Sequence, residues 1–128
     1  MSKHTPLGTK KIMAFVATED AVQAKAFYRD TLGLRLISED PFALVFDAHG
    51  IMLRVTRVPK AVIAPYTVLG WQVRNINNTV KALLKMGVIF ERYKGMGQDA
   101  FGIWQSPTGT RVAWFKDPDG NTLSITQF

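Results

Sequence analysis

The chain of 128 residues carries a net charge of +6 and contains no cysteine. This length suits one domain with a core of its own, and the lack of cysteine excludes disulfides, thiolate metal sites and a cysteine nucleophile. The longest purely apolar stretch, residues 12–17, is too short to span a bilayer, and the first residues lack the apolar run of a signal peptide. We therefore expect a cytoplasmic protein with no membrane partner.

The positive charge is unevenly distributed along the chain. Residues 51–116 contain ten basic residues, and Glu91 and Asp99 are the only acids among them. Such an excess favours an anionic ligand or nucleic acid as partner, and a charged surface that keeps the protein soluble explains it equally well. The basic residues are scattered, with no basic arm and no helix-turn-helix signature, which disfavours nucleic acid.

The first half of the chain predicts a strand, a helix and three further strands. Residues 10–18 have the length and apolar content of a strand. Asp20 is the expected helix N-cap, and Gln23 is placed to complete a capping box. Apolar residues then follow at helical spacing until Gly33, which ends the helix. The three later strands are predicted over residues 34–38, 42–47 and 51–57.

The second half predicts the same order of elements. A strand is expected within residues 66–74, followed by a helix that Asn75 or Asn77 caps and Gly87 ends. The glycine-rich stretch 93–109 is a long loop or an irregular hairpin, a type of segment that often has a binding role. The string Asp117-Pro118-Asp119-Gly120 is typical of a turn, here between strands over residues 111–115 and 121–128.

These two halves form an internal repeat. The segment 46–55 matches the segment 116–125, with Asp opposite Asp, Gly opposite Gly and Leu opposite Leu. We predict an α+β fold of two tandem βαβββ modules within a single domain, 1–128. Module one covers about residues 10–57, the linker 58–66, and module two about 67–128. A repeat of this kind creates a cavity between its two copies.

Three motifs carry a resemblance to a known family: residues 27–34 (FYRDTLGL), 71–76 (WQVRNI) and 117–121 (DPDGN). Their order and spacing, over about residues 10–127, resemble the vicinal-oxygen-chelate superfamily, which includes glyoxalases, bleomycin-resistance proteins and extradiol dioxygenases. The resemblance implies a glyoxalase-like, curved and cup-like mixed sheet that encloses the active site. It also implies a homodimer, and leaves open whether the cavity forms within one chain or across two.

The resemblance further implies where a metal would bind. Metal-dependent members have a His in the first strand of each module and a Glu or similar ligand in each last strand. At the equivalent positions this sequence has Met13, Arg54, Val68 and Ser124, which lack the imidazole and carboxylate donors of such sites. The two histidines, His4 and His49, fall in the N-terminal tail and in a hairpin turn. We therefore expect no metal and no other cofactor.

Strand alternation assigns the remaining cavity residues. One face of each sheet is predicted to pack in the core, where we also expect Trp71 and Tyr28. The other face lines the cavity, and no carboxylate, His or Lys is predicted on it. Arg54 is the residue best suited to grip a carboxylate, phosphate or sulfonate, unless Asp47 or Asp99 pairs with it or the side chain reaches solvent. The alternation of side chains along the strand does not decide which face of the sheet Trp114 occupies. The predicted ligand-binding residues are Met13, Phe15, Met52, Arg54, Val68, Gln72, Gln98, Phe101, Trp104 and Ser124.

Three functions are compatible with these features. The first is metal-independent binding of a small organic ligand, anionic or aromatic, in the manner of bleomycin-resistance proteins. The second is an enzyme of lyase, isomerase or dioxygenase type, whose general base would have to be Asp47 or Asp99, entering the cavity from a loop. The third is a basic module that binds nucleic acid or a protein partner.

Overall fold

The computed structural model describes residues 6–128 and contains two four-stranded mixed sheets, one in each module. The first sheet has the order β1-β4-β3-β2 and consists of β1 (Met13–Thr18), β2 (Arg35–Glu39), β3 (Ala43–Ala48) and β4 (Ile51–Arg57). The second has the order β5-β8-β7-β6 and consists of β5 (Leu69–Gln72), β6 (Trp104–Gln105), β7 (Arg111–Lys116) and β8 (Thr122–Gln127). The first strand of each module pairs in parallel with its last strand, and the other pairs are antiparallel. The predicted α+β architecture of two repeated modules is confirmed.

The first helix has the N-cap residue that the sequence predicts, Asp20, but it lacks the predicted capping box. Helix α1 (Ala21–Lys25) starts at Asp20, whose Oδ1 accepts a hydrogen bond from the Gln23 amide at 3.1 Å. The predicted capping box is wrong, because the Asp20 amide donates instead to Thr18 Oγ1 at 3.1 Å. The end of β1 thus supplies the acceptor that the glutamine was expected to provide.

A π-helical segment, Ala26–Thr31, continues α1. The Leu32 amide donates to Phe27 O at 2.9 Å and the Leu34 amide to Tyr28 O at 3.0 Å, so this end of the helix is wider than an α-helix. π-Helical turns are rare, and helical spacing of apolar residues does not predict them. Tyr28 lies within the segment, and its side chain is completely buried. Gly33 follows with a φ of +79°, which agrees with its predicted role at the helix end.

The second helix, α2 (Ile76–Lys85), is capped by Asn75 rather than Asn77. Asn75 Oδ1 accepts a hydrogen bond from the Asn78 amide at 3.0 Å. Ile76 and Val80 are fully buried against the second sheet. Within residues 6–128, no helix has the length and apolar character needed to cross a membrane.

The two modules share one apolar core, which includes Leu44 and Phe46 from β3 and Phe115 and Leu123 from β7 and β8. A polar network joins the modules at the predicted turn after β7, whose Gly120 amide donates to Asp117 O at 2.9 Å. Asp117 Oδ2 accepts hydrogen bonds from Tyr28 Oη at 2.7 Å and from Asn121 Nδ2 at 2.8 Å. Asn121 Nδ2 also donates to Ala17 O at 2.9 Å. The DPDGN motif therefore ties module two to the first strand and helix of module one.

Candidate functional site

The face of the first sheet that points away from the helices is called the module-one open face. Residues opposite each other on neighbouring strands share a face, and the pairing aligns Phe15 with Arg54 and Met13 with Met52. Phe15 is 57% exposed and Met52 41% exposed, so the other module of the same chain does not cover this face. The open face comprises Met13, Phe15, Arg35, Val45, Asp47, Met52 and Arg54.

A hollow of about 350 Å³ lies at one end of this face. Its apolar lining includes Met13, Met52, Val45 and Ile37, and the last of these lies in the irregular step of β2 between Leu36 and Ser38. Lys11, Arg35 and Asp47 provide its charged groups. The hollow therefore combines flexible apolar side chains with a surplus of positive charge, a composition suited to a small organic anion.

Arg54 lies between Phe15 and Val45 on the open face, and its side chain is half-buried. Within residues 6–128 it forms no ion pair: Asp47 pairs with Arg35, and the Asp99 carboxylate bonds within the long loop. Hydrogen bonds from the amides of Phe42 and Ala43 lower the pKa of Asp40, and the positive charge of Arg54 lowers it further. The Arg54 guanidinium therefore has no acidic side chain as an ion-pair partner within residues 6–128.

Asp47 corrects the prediction that the open face contains no carboxylate. It lies within β3 opposite Met52 and Arg35, so its side chain shares their face. Its Oδ1 accepts the Gly50 amide at 2.9 Å and its Oδ2 accepts Arg35 Nη2 at 3.3 Å. Both bonds stabilise the charged form and lower the pKa of Asp47. Side chains alternate between the two faces along β3, and Leu44 and Phe46 are core residues. This alternation would have predicted that the Asp47 side chain lies on the open face.

The corresponding face of the second sheet is called the module-two open face. Trp114 is paired with Ser124, and Ser124 with Gly70, so the strand register places Trp114 on this face. Lys116 also lies here and donates to Thr122 Oγ1 at 3.0 Å, which corrects the prediction of a face without lysine. The face comprises Val68, Gly70, Gln72, Trp104, Val112, Trp114, Lys116, Thr122, Ser124 and Thr126.

Three aromatic rings cluster at one side of the module-two open face. The Trp104 and Trp114 rings have centroids 6.1 Å apart, and the Tyr93 ring meets the Trp114 ring edge-on at 5.5 Å. Partial burial and, to a smaller extent, the nearby Glu91 charge raise the pKa of Tyr93. Sequence reasoning identified Trp104 but missed Tyr93, because the path of the loop was not predictable.

Two residues predicted from the long loop to contact a ligand lie elsewhere. The Gln98 amide is fully occupied, with Nε2 donating to Glu91 O and Gly102 O and Oε1 accepting the Tyr93 amide at 2.7 Å. Phe101 lies 5.6 Å from the ammonium of Lys81 on α2, on the helix side of the sheet. Gln98 therefore organises the loop behind the aromatic cluster, while Met13, Phe15, Met52 and Arg54 share one open face and Val68, Gln72, Trp104 and Ser124 share the other.

The residues at the four metal-ligand positions do not fit a divalent metal. They offer a thioether, a guanidinium, an isopropyl group and a hydroxyl, none of which replaces imidazole or carboxylate. No group of three or more His, Asp or Glu side chains that could hold a metal occurs within residues 6–128. His49 is exposed in the β3–β4 turn with a φ of +52°, and His4 lies outside the described residues.

Comparisons with known proteins agree with this architecture. Residues 11–125 match the family model described as the Glyoxalase/Bleomycin resistance protein/Dioxygenase superfamily. No curated protein matches the sequence. Among solved structures, a glyoxalase family protein from Enterococcus faecalis is similar with a TM-score of 0.74 and 19% identity, covering 92% of this chain and 98% of that one.

Two further structures are similar over a comparable range. Lactoylglutathione lyase from Agrobacterium tumefaciens has a TM-score of 0.70 and 17% identity, covering 92% of this chain and 93% of that one. A superfamily member from Sphaerobacter thermophilus has a TM-score of 0.68 and 21% identity, covering 91% and 97%. At these identities the structural likeness shows the fold alone, whereas the family model extends over most of the chain. The protein therefore belongs to the Glyoxalase/Bleomycin resistance protein/Dioxygenase superfamily.

Proposed function

We propose that this protein binds a small organic anion on the module-one open face without the help of a metal. The observation that carries the proposal is Arg54, a half-buried residue that forms no ion pair in the described part of the chain and is paired with Val45, which lines the hollow. A guanidinium in partly apolar surroundings grips a carboxylate or phosphate in two-point fashion. The surplus of Lys11 and Arg35 over Asp47 around the hollow attracts the same ligands.

The cavity is completed by a second copy of the chain in a homodimer. Each open face has exposed apolar residues: Phe15, Met13 and Met52 in module one, and Val68 at the edge of module two, where Thr122 and Ser124 at the centre of the face are buried. An exposed apolar face of this kind is a feature of protein interaction sites. Pairing module one of each copy with module two of its partner covers both faces and follows two-fold symmetry, since the same contact occurs twice.

Metal independence is part of the proposal, because the side chains at the four metal-ligand positions, Met13, Arg54, Val68 and Ser124, include no imidazole and no carboxylate. A cation at the family's usual position would meet the positive charge of Arg54 and the aliphatic side chain of Val68. The guanidinium of Arg54 repels a metal cation and attracts an anion. An arginine in place of the usual metal ligand at this position therefore disfavours metal binding and favours anion binding.

An enzyme of lyase, isomerase or dioxygenase type is the alternative. It requires a metal or a general base, and Asp47 is the carboxylate on the module-one open face. Two hydrogen bonds lower the pKa of Asp47, which makes this carboxylate a weak proton acceptor. Binding is therefore the function that the geometry supports best.

Isothermal titration with 2-naphthoate, a carboxylate of suitable size, tests the proposal. Wild type should bind the probe, and Arg54→Ala should weaken binding by roughly 10- to 100-fold, the value of a hydrogen-bonded charge pair of about 1.5–3 kcal/mol. Arg54→Lys keeps the positive charge but loses the planar guanidinium that makes two hydrogen bonds, so its affinity for 2-naphthoate should lie between those of wild type and Arg54→Ala. Arg74→Ala, which removes an exposed arginine outside both open faces, is the matched control.

Metal analysis of the purified protein is the second test. We expect no stoichiometric transition metal and no effect of a chelator on 2-naphthoate affinity. One tightly held metal per chain, or an Arg54→Ala variant that binds 2-naphthoate like wild type, would contradict the proposal.

A further inference from the structure

We infer that the module-two open face contains an aromatic subsite and that the ligand is a planar aromatic acid. The subsite consists of Tyr93, Trp104 and Trp114 with the hydroxyl of Ser124. The inference rests on the proposed function, because it assigns the ring of the ligand to one face and its acidic group to Arg54 on the other.

The aromatic cluster presents ring surface towards the outside of the sheet. Trp104 and Trp114 are tilted by 40° with respect to each other and only partly buried. Trp71 is also partly buried, but it lies on the core side of the sheet, where it is paired with Ile125 and stacked on the core residue Phe115 at 6.5 Å. Tryptophan therefore serves the core at position 71, whereas the rings at 104 and 114 keep free surface on which a flat molecule can stack.

Gly70 and Ser124 form a gap beside these rings. A Cβ at Gly70 would meet Ser124 Oγ at 2.8 Å, so glycine keeps the space above the hydroxyl open. Ser124 as a residue is only 7% exposed, but solvent still reaches its hydroxyl oxygen, and within residues 6–128 this hydroxyl forms no hydrogen bond. Because this hydroxyl is accessible and has no partner within residues 6–128, Ser124 is available to a polar substituent at the ring edge.

The module-one open face, which forms the opposite wall of the cavity in the proposed dimer, has matching chemistry. Phe15, Met13 and Met52 on the module-one open face supply an aromatic ring and two thioethers, groups that pack well against aromatic surfaces. When a flat ring lies between these side chains and the tryptophans, its carboxylate can bind Arg54, which is paired with Phe15 on the neighbouring strand of the same sheet. A flexible aliphatic acid would form the ion pair with Arg54 but would not stack on the aromatic side chains of the two walls.

Three probes of similar size separate the contributions of charge and ring. 2-Naphthoate has both features, decahydronaphthalene-2-carboxylate keeps the charge without the aromatic ring, and naphthalene-2-methanol keeps the ring without the charge. Isothermal titration at equal ionic strength should show 2-naphthoate binding about ten-fold more tightly than the decahydro analogue. Trp114→Leu should remove most of this preference.

A second variant tests the subsite without removing a ring. Gly70→Ala fills the gap above Ser124, and its backbone is unstrained because φ at this position is not positive. We expect Gly70→Ala to weaken 2-naphthoate several-fold while the circular dichroism spectrum stays that of the folded protein, and to lower the melting temperature, because the new Cβ would meet Ser124 Oγ at 2.8 Å and Ser124 O at 3.3 Å. Phe128→Leu, which removes an aromatic ring that is 81% exposed at the chain end, is the matched control.

The outcomes distinguish the two proposals. Equal affinity for both carboxylates, combined with an Arg54-dependent loss, overturns the aromatic subsite and leaves the anion site intact. Binding of naphthalene-2-methanol as tight as that of 2-naphthoate, independent of Arg54 but dependent on Trp114, overturns the anion site and leaves the aromatic subsite. Absence of binding by all three probes overturns both.

Discussion

The hydrogen bond between Tyr28 and Asp117 gives a quantitative prediction for the junction of the modules. Tyr28 Oη donates to Asp117 Oδ2 at 2.7 Å; Tyr28 is fully buried and Asp117 is 5% exposed. Tyr28→Phe removes this donor and no other heavy atom. A buried hydrogen bond to a charged group contributes about 1.5–3 kcal/mol.

The remaining partners of Asp117 decide where in that range the loss should fall. Its carboxylate keeps the amides of Asp119 and Asn121 at 3.0 and 2.9 Å and Asn121 Nδ2 at 2.8 Å. The charge therefore stays compensated, and we expect Tyr28→Phe to lower the free energy of unfolding by about 2 kcal/mol. With about 2.1 cal/mol/K of unfolding entropy per residue, this corresponds to a fall in Tm of about 7 °C.

Urea unfolding followed by circular dichroism measures the effect. The midpoint should fall while the slope of free energy against urea stays constant, because the variant exposes the same surface on unfolding. Tyr66→Phe is the matched control, since Tyr66 is 67% exposed and should lose nothing. A loss below about 0.5 kcal/mol in Tyr28→Phe, which is the size of an ordinary surface effect, would refute the reasoning.

Three further predictions concern the same structure. Burial and then the Asp117 charge raise the pKa of Tyr28, so the unfolded chain releases this proton near pH 10 while the folded chain keeps it. Stability due to Tyr28 should be complete below pH 10 and fall above it by up to about 1.4 kcal/mol per pH unit, so the difference between wild type and Tyr28→Phe should shrink between pH 9 and 11 in urea titrations. Phe15→Glu places a charge on the module-one open face and should convert the proposed dimer to monomer in light scattering with the circular dichroism spectrum unchanged, and a wild type of monomer mass would contradict the dimer. Gly120→Ala should destabilise the chain by about 1–2 kcal/mol in urea unfolding, because φ is +92° at this turn while the space around its Cβ is open.

The sequence predicted those elements that local patterns control. β4 has its predicted bounds, Ile51–Arg57, and the glycine at each helix end has the positive φ that its role requires. The core face followed from alternation, since Leu53, Val55, Leu123 and Ile125 are all buried. These features depend on neighbours two to four residues away, which a single sequence displays directly.

Features that depend on distant partners were not predictable in the same way. The π-helical segment places Tyr28 against Asp117, 89 positions along the chain, and no local spacing records such a contact. Phe90 forms an isolated antiparallel bridge with Phe115, and the path of the loop after it depends on the side-chain amide of Gln98, which bonds three backbone groups at once. Trp114 could be placed only after β7 had been paired with β8, because strand register decides the face of every residue.

The two modules have diverged at equivalent positions, and this divergence bears on the kind of ligand. Arg54 of β4 corresponds to Ser124 of β8, and Met13 corresponds to Val68 in the alignment of the repeats. One open face therefore carries a guanidinium and thioethers, while the other carries a hydroxyl beside tryptophan rings. Two identical faces would suit a symmetric ligand or a metal held equally by both modules. Faces that differ in charge and in aromatic content suit a ligand whose two ends differ in the same way, with an acid at one end and a ring at the other.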